Sequence, residues 1–374
     1  MSDVNPSEPC EIVHLPFFIE RVVIINFKRF QHLDVTFSRG MNILVGDNGS
    51  GKTTVLEAID LALTGRYRGE SINRCLSEHF FNNDVVNAYL ERVREKKSSE
   101  LPPAITIELF LGGGNPRDVA TFSGGQNSTR CNACGLAFRI ELDEDYSEEY
   151  ATLVNEGGLS GLPIEYYAAK AWSFADCPVG PRQMPVKVAL VNPSSDLYGY
   201  RSESRATRTL YDTLDNRMGV KLAQEYRAAL KCFECSDTIE QVNCTLDSEQ
   251  YFGEHVALEV DSGTRDSWKE DLIVSVSNVP YQHIGSGMQC KLVSGVALAQ
   301  TASKGIGILL IEEPENHLSH SQLNAYLDFL EEHADHRQLI VTTHSSFVAN
   351  KLGLDTITLL GGSERGGAAH LTSV

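Results

Sequence analysis

Residues 46–53, Gly-Asp-Asn-Gly-Ser-Gly-Lys-Thr, constrain the fold more than any other stretch of this chain. They fit G-x-x-x-x-G-K-[ST] without a mismatch, follow the apolar run Met41-Asn-Ile-Leu-Val45, and lead into a helical pattern. Val55, Leu56, Ile59, Leu61, Ala62 and Leu63 give that helix a broad apolar side, and Gly65 is its expected stop. Such a strand, loop and helix unit is a phosphate cradle: glycines let successive N–H groups turn inward, and the helix N-terminus adds partial positive charge. The expected nucleotide-binding residues are Gly46, Asp47, Asn48, Gly49, Ser50, Gly51, Lys52, Thr53 and Thr54. Lys52 would reach the β- and γ-phosphates of ATP, and the Thr53 hydroxyl would bind Mg²⁺.

A phosphate cradle that hydrolyses its ligand needs carboxylates at the tip of another apolar strand. Ile308-Leu-Leu-Ile-Glu312-Glu313-Pro314-Glu315 supplies them. Glu312 is expected to hold Mg²⁺, and Glu313 to orient or deprotonate the attacking water. A further apolar strand ends in Thr342-Thr343-His344-Ser345-Ser346, where His344 can sense the γ-phosphate through a hydrogen bond.

Two stretches compete for the loop that would grip nucleotide held by a second subunit. That loop must present a Ser hydroxyl and Gly N–H groups at a helix N-terminus. Phe122-Ser-Gly-Gly-Gln126 has the letters, but the turn-forming Asn-Ser-Thr-Arg-Cys-Asn-Ala-Cys-Gly follows it, within a Gly-, Ser- and Asn-rich segment from Gly112 to Asn132 that reads as loop. Gly285-Ser286-Gly287-Met288-Gln289 is instead followed by a helical pattern over Cys290–Ala302, and then by the strand carrying Glu312. Gly285, Ser286, Gly287 and Gln289 are therefore the expected signature, acting in trans, and FSGGQ the decoy.

Elsewhere the pattern predicts strands at 21–27, 33–37, 104–111, 137–142, 186–191, 272–276, 306–311, 338–342 and 356–360. Helices are expected over about 71–96 and 319–332, with another carrying Leu222, Tyr226, Ala229, Leu230 and Phe233. Strands alternating with helices argue for an α/β fold with a mainly parallel sheet. Glu312 comes 260 positions after Lys52, so an N-terminal lobe, 1–140, and a C-terminal lobe, 271–374, are expected to flank an inserted α/β segment at about 140–270.

The formal net charge of −18 opposes a surface that coats nucleic acid. Local basic runs exist at Arg92-Val-Arg-Glu-Lys-Lys97 and at Arg201, Arg205 and Arg208, each readable as a solvated helix face. No apolar run is long enough to span a membrane and no signal peptide opens the chain, so a cytoplasmic location is expected. Cys131-Asn-Ala-Cys134 and Cys232-Phe-Glu-Cys235 could together form a four-thiolate zinc site. The second pair lies on an apparent helix, and both pairs are read as ordinary thiols.

The phosphate loop, GSGMQ, IEEPE and TTHSS in this order resemble the ABC ATPase superfamily, in its branch with SMC-type and RecF-like heads. Ile164-Glu-Tyr-Tyr167 with Trp172-Ser-Phe174, the run Ile311-Glu-Glu-Pro-Glu-Asn-His-Leu-Ser-His320 and the run Thr343-His-Ser-Ser-Phe-Val-Ala-Asn-Lys-Leu352 resemble the overcoming-lysogenization-defect (OLD) family of ATP-dependent endonucleases. The resemblance implies an ABC-type ATPase head that forms a homodimer around ATP and Mg²⁺. It also implies a Toprim nuclease as partner, DNA as the target of the complex, and defence against phage as a setting. Fourteen residues follow Leu360, too few for a Toprim domain, so the nuclease is expected in a longer parent or a separate protein.

Overall fold

The computed structural model describes residues 16–95, 101–155, 159, 161–191, 216–248, 256–261, 267–285, 287–289, 291, 292, 295, 306–316, 318–333, 337–353 and 357–361. The chain divides into two compact units, one formed by residues 1–193 and 297–374 and the other by residues 194–296.

Two large sheets stand among the described residues of the first unit. Strand β1 (Phe18–Phe27) pairs antiparallel with β2 (Phe30–Thr36) and, on its other side, with β6 (Ile105–Gly112); β8 (Ala133–Leu142) follows, and β7 (Ser123–Gly124) and β9 (Tyr167–Ser173) both pair with β8. The second sheet is parallel throughout. Its order is β10 (Lys187–Val191), β13 (Ile306–Glu312), β14 (Gln338–Thr343), β3 (Met41–Val45) and β15 (Ile357–Leu359). Parallel strands need covered faces, and β13 and β14 accordingly read as nearly unbroken apolar runs, with Ile308 to Ile311 and Leu339 to Val341 fully buried. Helix α1 (Lys52–Thr64) buries Val55, Leu56, Ala58, Ile59, Leu61 and Ala62 completely. It ends where Gly65 turns left-handed at φ 64° and returns its N–H to Leu61 O at 2.8 Å.

Gln338, 2% exposed, ties the two sheets together: its Nε2 donates to Ile19 O at 2.7 Å and Ser38 O at 2.8 Å, and its Oε1 accepts from Ile19 N at 2.8 Å. These bonds satisfy backbone groups beside the irregularity in the β1–β6 register between Ile19 and Arg21.

The helix expected over about 71–96 is broken. The short hairpin β4 (Arg66–Tyr67) and β5 (Glu70–Ser71) leads into α2 (Ile72–Cys75), a 3₁₀ turn covers Glu78–Phe80, and α3 spans Asn83–Arg94. Phe80 and Phe81 enter the core, where Lys28 N donates to Phe80 O at 2.8 Å, and Asn82 then caps α3 by accepting from Val85 N. A second difference lies in 112–132, where Asn115 caps α4 (Pro116–Phe122), with Pro116 at a position that suits it. The segment 140–193, expected within the insertion, contributes α5 (Ser147–Asn155), β9 and β10 to the first unit, because β9 has β8 to pair with and β10 has β13.

The second unit carries helices Asn216–Glu234, Asp237–Ser248 and Trp268–Asp271 and the hairpin β11 (Ser275–Val276) and β12 (Val279–Pro280). Phe233, expected on an apolar stripe, is 60% exposed. Among the described residues no group of three or more His, Cys, Asp or Glu forms a metal-binding cluster, and no helix is long and apolar enough to cross a membrane.

Candidate functional site

The parallel register gathers the chemistry. Glu312 stands opposite Thr342, Thr342 opposite Leu44, and Thr343 opposite Val45, so β13, β14 and β3 end side by side and release their loops at one edge of the sheet.

The loop after β3 has the shape that its glycines require. Gly49 and Gly51 adopt φ values of 79° and 100°, in the left-handed region. A Cβ on Gly51 would stand 2.3 Å from Phe30 Cζ and 2.7 Å from Arg29 Cδ, so Gly51→Ala should collapse the cradle. Its affinity for a fluorescent ATP analogue is expected to fall at least about 100-fold, whereas Gly40→Ala, placed in open space, should bind as the parent does. Lys52 is 4% exposed and folds over the loop, its Nζ donating to Gly46 O at 2.7 Å and Asp47 O at 3.0 Å. The buried Ser50 Oγ has no hydrogen-bond partner among the described residues.

Thr53 Oγ1 donates to Glu312 Oε1, joining the first turn of α1 to the tip of β13. Glu312 is 8% exposed, and burial pushes its carboxyl above the ordinary range. The Thr53 hydrogen bond works the other way, the negative charges of Glu313 and Glu57 add to the rise, and Arg68 opposes it. A buried carboxylate beside a hydroxyl is a hard oxygen pair that gains from a small divalent cation, so the residues present fit Mg²⁺.

Glu313 takes φ 41°, uncommon for a residue with a side chain, and its N–H is fixed by Thr342 O at 2.9 Å. Its Oε1 lies 4.0 Å from Lys52 Nζ and 3.8 Å from His344 Nδ1, while Oε2 accepts from Asn316 Nδ2 at 2.7 Å. Lys52, Thr53, Glu312, Glu313 and His344 are thus brought together. A carboxylate beside a lysine and an imidazole can align a water for attack on a phosphate held over Lys52.

Of the expected signature, Gly285 accepts from Met288 N at 2.9 Å and Gln289 N at 3.1 Å, helical residues begin at 287, and Gln289 Nε2 donates to Tyr281 O at 2.7 Å. Ser286 lies outside the described residues. No helix follows FSGGQ: Ser123 and Gly124 pair with Cys134 and Ala133, and Gln126 N donates to Phe174 O at 3.1 Å.

Sequence reasoning assigned no role to three residues near the catalytic set. Asn316 holds Glu313, and Glu315 receives hydrogen bonds from Thr343 and His344. Glu57, one turn beyond Thr53, is paired with Lys28 and accepts from Tyr67 Oη at 3.0 Å. The letters Glu-Asn after Glu-Glu-Pro were the visible signal for the first two; Glu57 gave none, because its partners Lys28 and Tyr67 lie in the turn after β1 and on β4.

Residues 21–131 match a family profile described as "AAA domain", and residues 263–350 one described as "AAA domain, putative AbiEii toxin, Type IV TA system". The chain is 33% identical over 109 residues to a DNA replication and repair protein RecF of Aliivibrio fischeri, covering 27% of this chain and 29% of the relative. It is 56% identical over 48 residues to a DNA double-strand break repair Rad50 ATPase of Methanopyrus kandleri, covering 13% and 6%. It therefore spans under a third of the length of these curated relatives. Among solved structures a RecF recombination mediator protein from the RecFOR pathway gives a TM-score of 0.48 at 10% identity, over 96% of this chain and 99% of that one. Between them the two matched segments, both described as AAA domains, enclose the phosphate loop, Glu312, Glu313 and His344.

Proposed function

We propose that this chain is the Mg²⁺-dependent ATP-hydrolysing head of a DNA-processing machine, and that it works as a homodimer. The observation that carries the proposal is the convergence of Lys52, Thr53, Glu312, Glu313 and His344 at the ends of three adjacent parallel strands. In this reading the loop amides and Lys52 bind the phosphates. Thr53 and Glu312 hold the metal, which supplies charge neutralisation at the phosphate oxygens. Glu313 takes the proton of the attacking water, and His344 contacts the terminal phosphate. Gly285, Ser286, Gly287 and Gln289 of the second subunit close the site from the other side, and closure is the output.

The output controls a Toprim-type nuclease acting on DNA, supplied by a longer parent or a separate protein, in defence against phage. The run Ile311–His320 and its likeness to the OLD family support that assignment. A second reading is favoured by the RecF and Rad50 matches: a repair ATPase that itself grips DNA when nucleotide is bound. Steady-state ATP hydrolysis by the purified chain with Mg²⁺, with and without duplex DNA, tests the core of the proposal. Background rates in both conditions would refute it. Duplex binding by this chain alone that needs ATP and weakens steeply with salt selects the second reading. Its absence, together with ATP-dependent control of cleavage by the nuclease in the same assay, selects the first.

A further inference from the structure

Glu315 follows the end of β13, and its side chain is 10% exposed. One oxygen, Oε1, accepts from Thr343 Oγ1 at 2.5 Å and from His344 N at 2.9 Å, and lies 3.3 Å from His344 Nδ1. The other, Oε2, is buried with no hydrogen-bond partner among the described residues. A carboxylate kept for structure alone would be expected to divide its partners between both oxygens, since an unpaired buried oxygen has lost its solvation without return. Here the groups facing Oε1 come from two consecutive residues at the end of β14. Thr343 Oγ1 in turn accepts from Ser345 N at 2.9 Å, so the turn that bears His344 is braced from both sides.

We propose, resting on the ATPase reading above, that Glu315 is a positioning residue that holds the Nδ1–H edge of His344 and so turns Nε2 toward the bound nucleotide, where Nε2 donates to a phosphate oxygen with a second proton taken up alongside the anionic phosphate. An imidazole nitrogen facing a carboxylate oxygen is stable there as an N–H donor, whereas an unprotonated nitrogen would set its lone pair against the oxygen. Glu313 Oε1, 3.8 Å from the same Nδ1, places a second carboxylate on that side and reinforces the choice. The backbone contact at His344 N fixes the main chain, so ring orientation and proton position are set by one side chain. A histidine held in this way meets the nucleotide with one defined nitrogen, in one orientation, at no reorganisation cost during the reaction.

Nitrogen-15 NMR spectra of the side-chain imidazoles test this directly, with the His344 signal assigned by its loss in His344→Ala. Nδ1 should be protonated in the native chain and should lose that preference in Glu315→Ala. An unprotonated Nδ1 in the native protein, or an unchanged signal in Glu315→Ala, would overturn the proposal. This measurement needs no turnover, so it stands apart from any failure of the ATPase reading. In kinetics, Glu315→Ala should lower kcat at least about tenfold with KM within roughly threefold, and Glu315→Gln, which keeps an accepting oxygen, should recover most of the loss. In a His344→Ala background Glu315→Ala should cost nothing more; a further loss there would mean that Glu315 does not act through His344. Should Glu315→Ala fail to fold, the native spectrum and the glutamine variant carry the test.

Discussion

Glu313→Gln is expected to lower kcat about 100- to 1000-fold while ATP still binds with near-native affinity, because the change removes a proton acceptor and little else. Glutamine has the same length, and its carbonyl oxygen can still accept from Asn316 Nδ2, now 2.7 Å from Glu313 Oε2. The backbone at φ 41° is held by the N–H bond to Thr342 O and does not depend on the side-chain charge. Lys52 stays where it is, since its close partners are the carbonyls of Gly46 and Asp47 and not the carboxylate 4.0 Å away. Binding and chemistry therefore separate in this variant. With Mg²⁺ and ATP it should accumulate as a nucleotide-bound dimer, visible as a shift to smaller elution volume that the parent shows only transiently. Single-turnover hydrolysis within threefold of the parent would remove Glu313 from the role of base and point to another group near the strand ends.

What the sequence made legible follows from how local each signal is. The phosphate loop, α1 with its Gly65 stop, and the apolar strands β3, β13 and β14 are each encoded within about a dozen neighbouring residues, and all stand where the pattern places them. The division into two sheets was not legible, because a strand's letters do not name its partner. β1 and β3 are both apolar, yet one joins an antiparallel sheet and the other a parallel one. The break in the 71–96 helix came from Phe80 and Phe81, whose burial against β1 outweighs helical periodicity, and α4 was hidden by the glycines around it. Within the site, residues at strand ends were readable by motif. Glu57 and the supporting bonds of Glu315 depend on elements far apart in sequence, as Thr343 and Glu315 are at 28 positions of separation.

Lys52→Ala and Ser286→Arg should each be inactive alone, and mixing them should restore about a quarter of parental turnover, because in the proposed dimer each composite site would draw its phosphate loop from one subunit and its signature from the other. The first variant lacks the ammonium that sits over the loop, donating to Gly46 O and Asp47 O, and so cannot hold the terminal phosphates, but its own residues 285–289 are intact. The second binds ATP normally and presents a bulky cation where a small hydroxyl should meet its partner's nucleotide. Random exchange makes half of the dimers mixed, and each mixed dimer has one sound site of two. Residues 287–289 are helical, with Gln289 anchored on Tyr281 O, which suits the proposed contact. Ser123 is instead paired in a β-bridge with Cys134. Ser123→Arg should therefore hydrolyse ATP at the parental rate. Recovery of activity from a mixture of Lys52→Ala with Ser123→Arg in place of a fully active Ser123→Arg parent, or no recovery from the Ser286→Arg mixture despite subunit exchange, would reverse the assignment of the two loops.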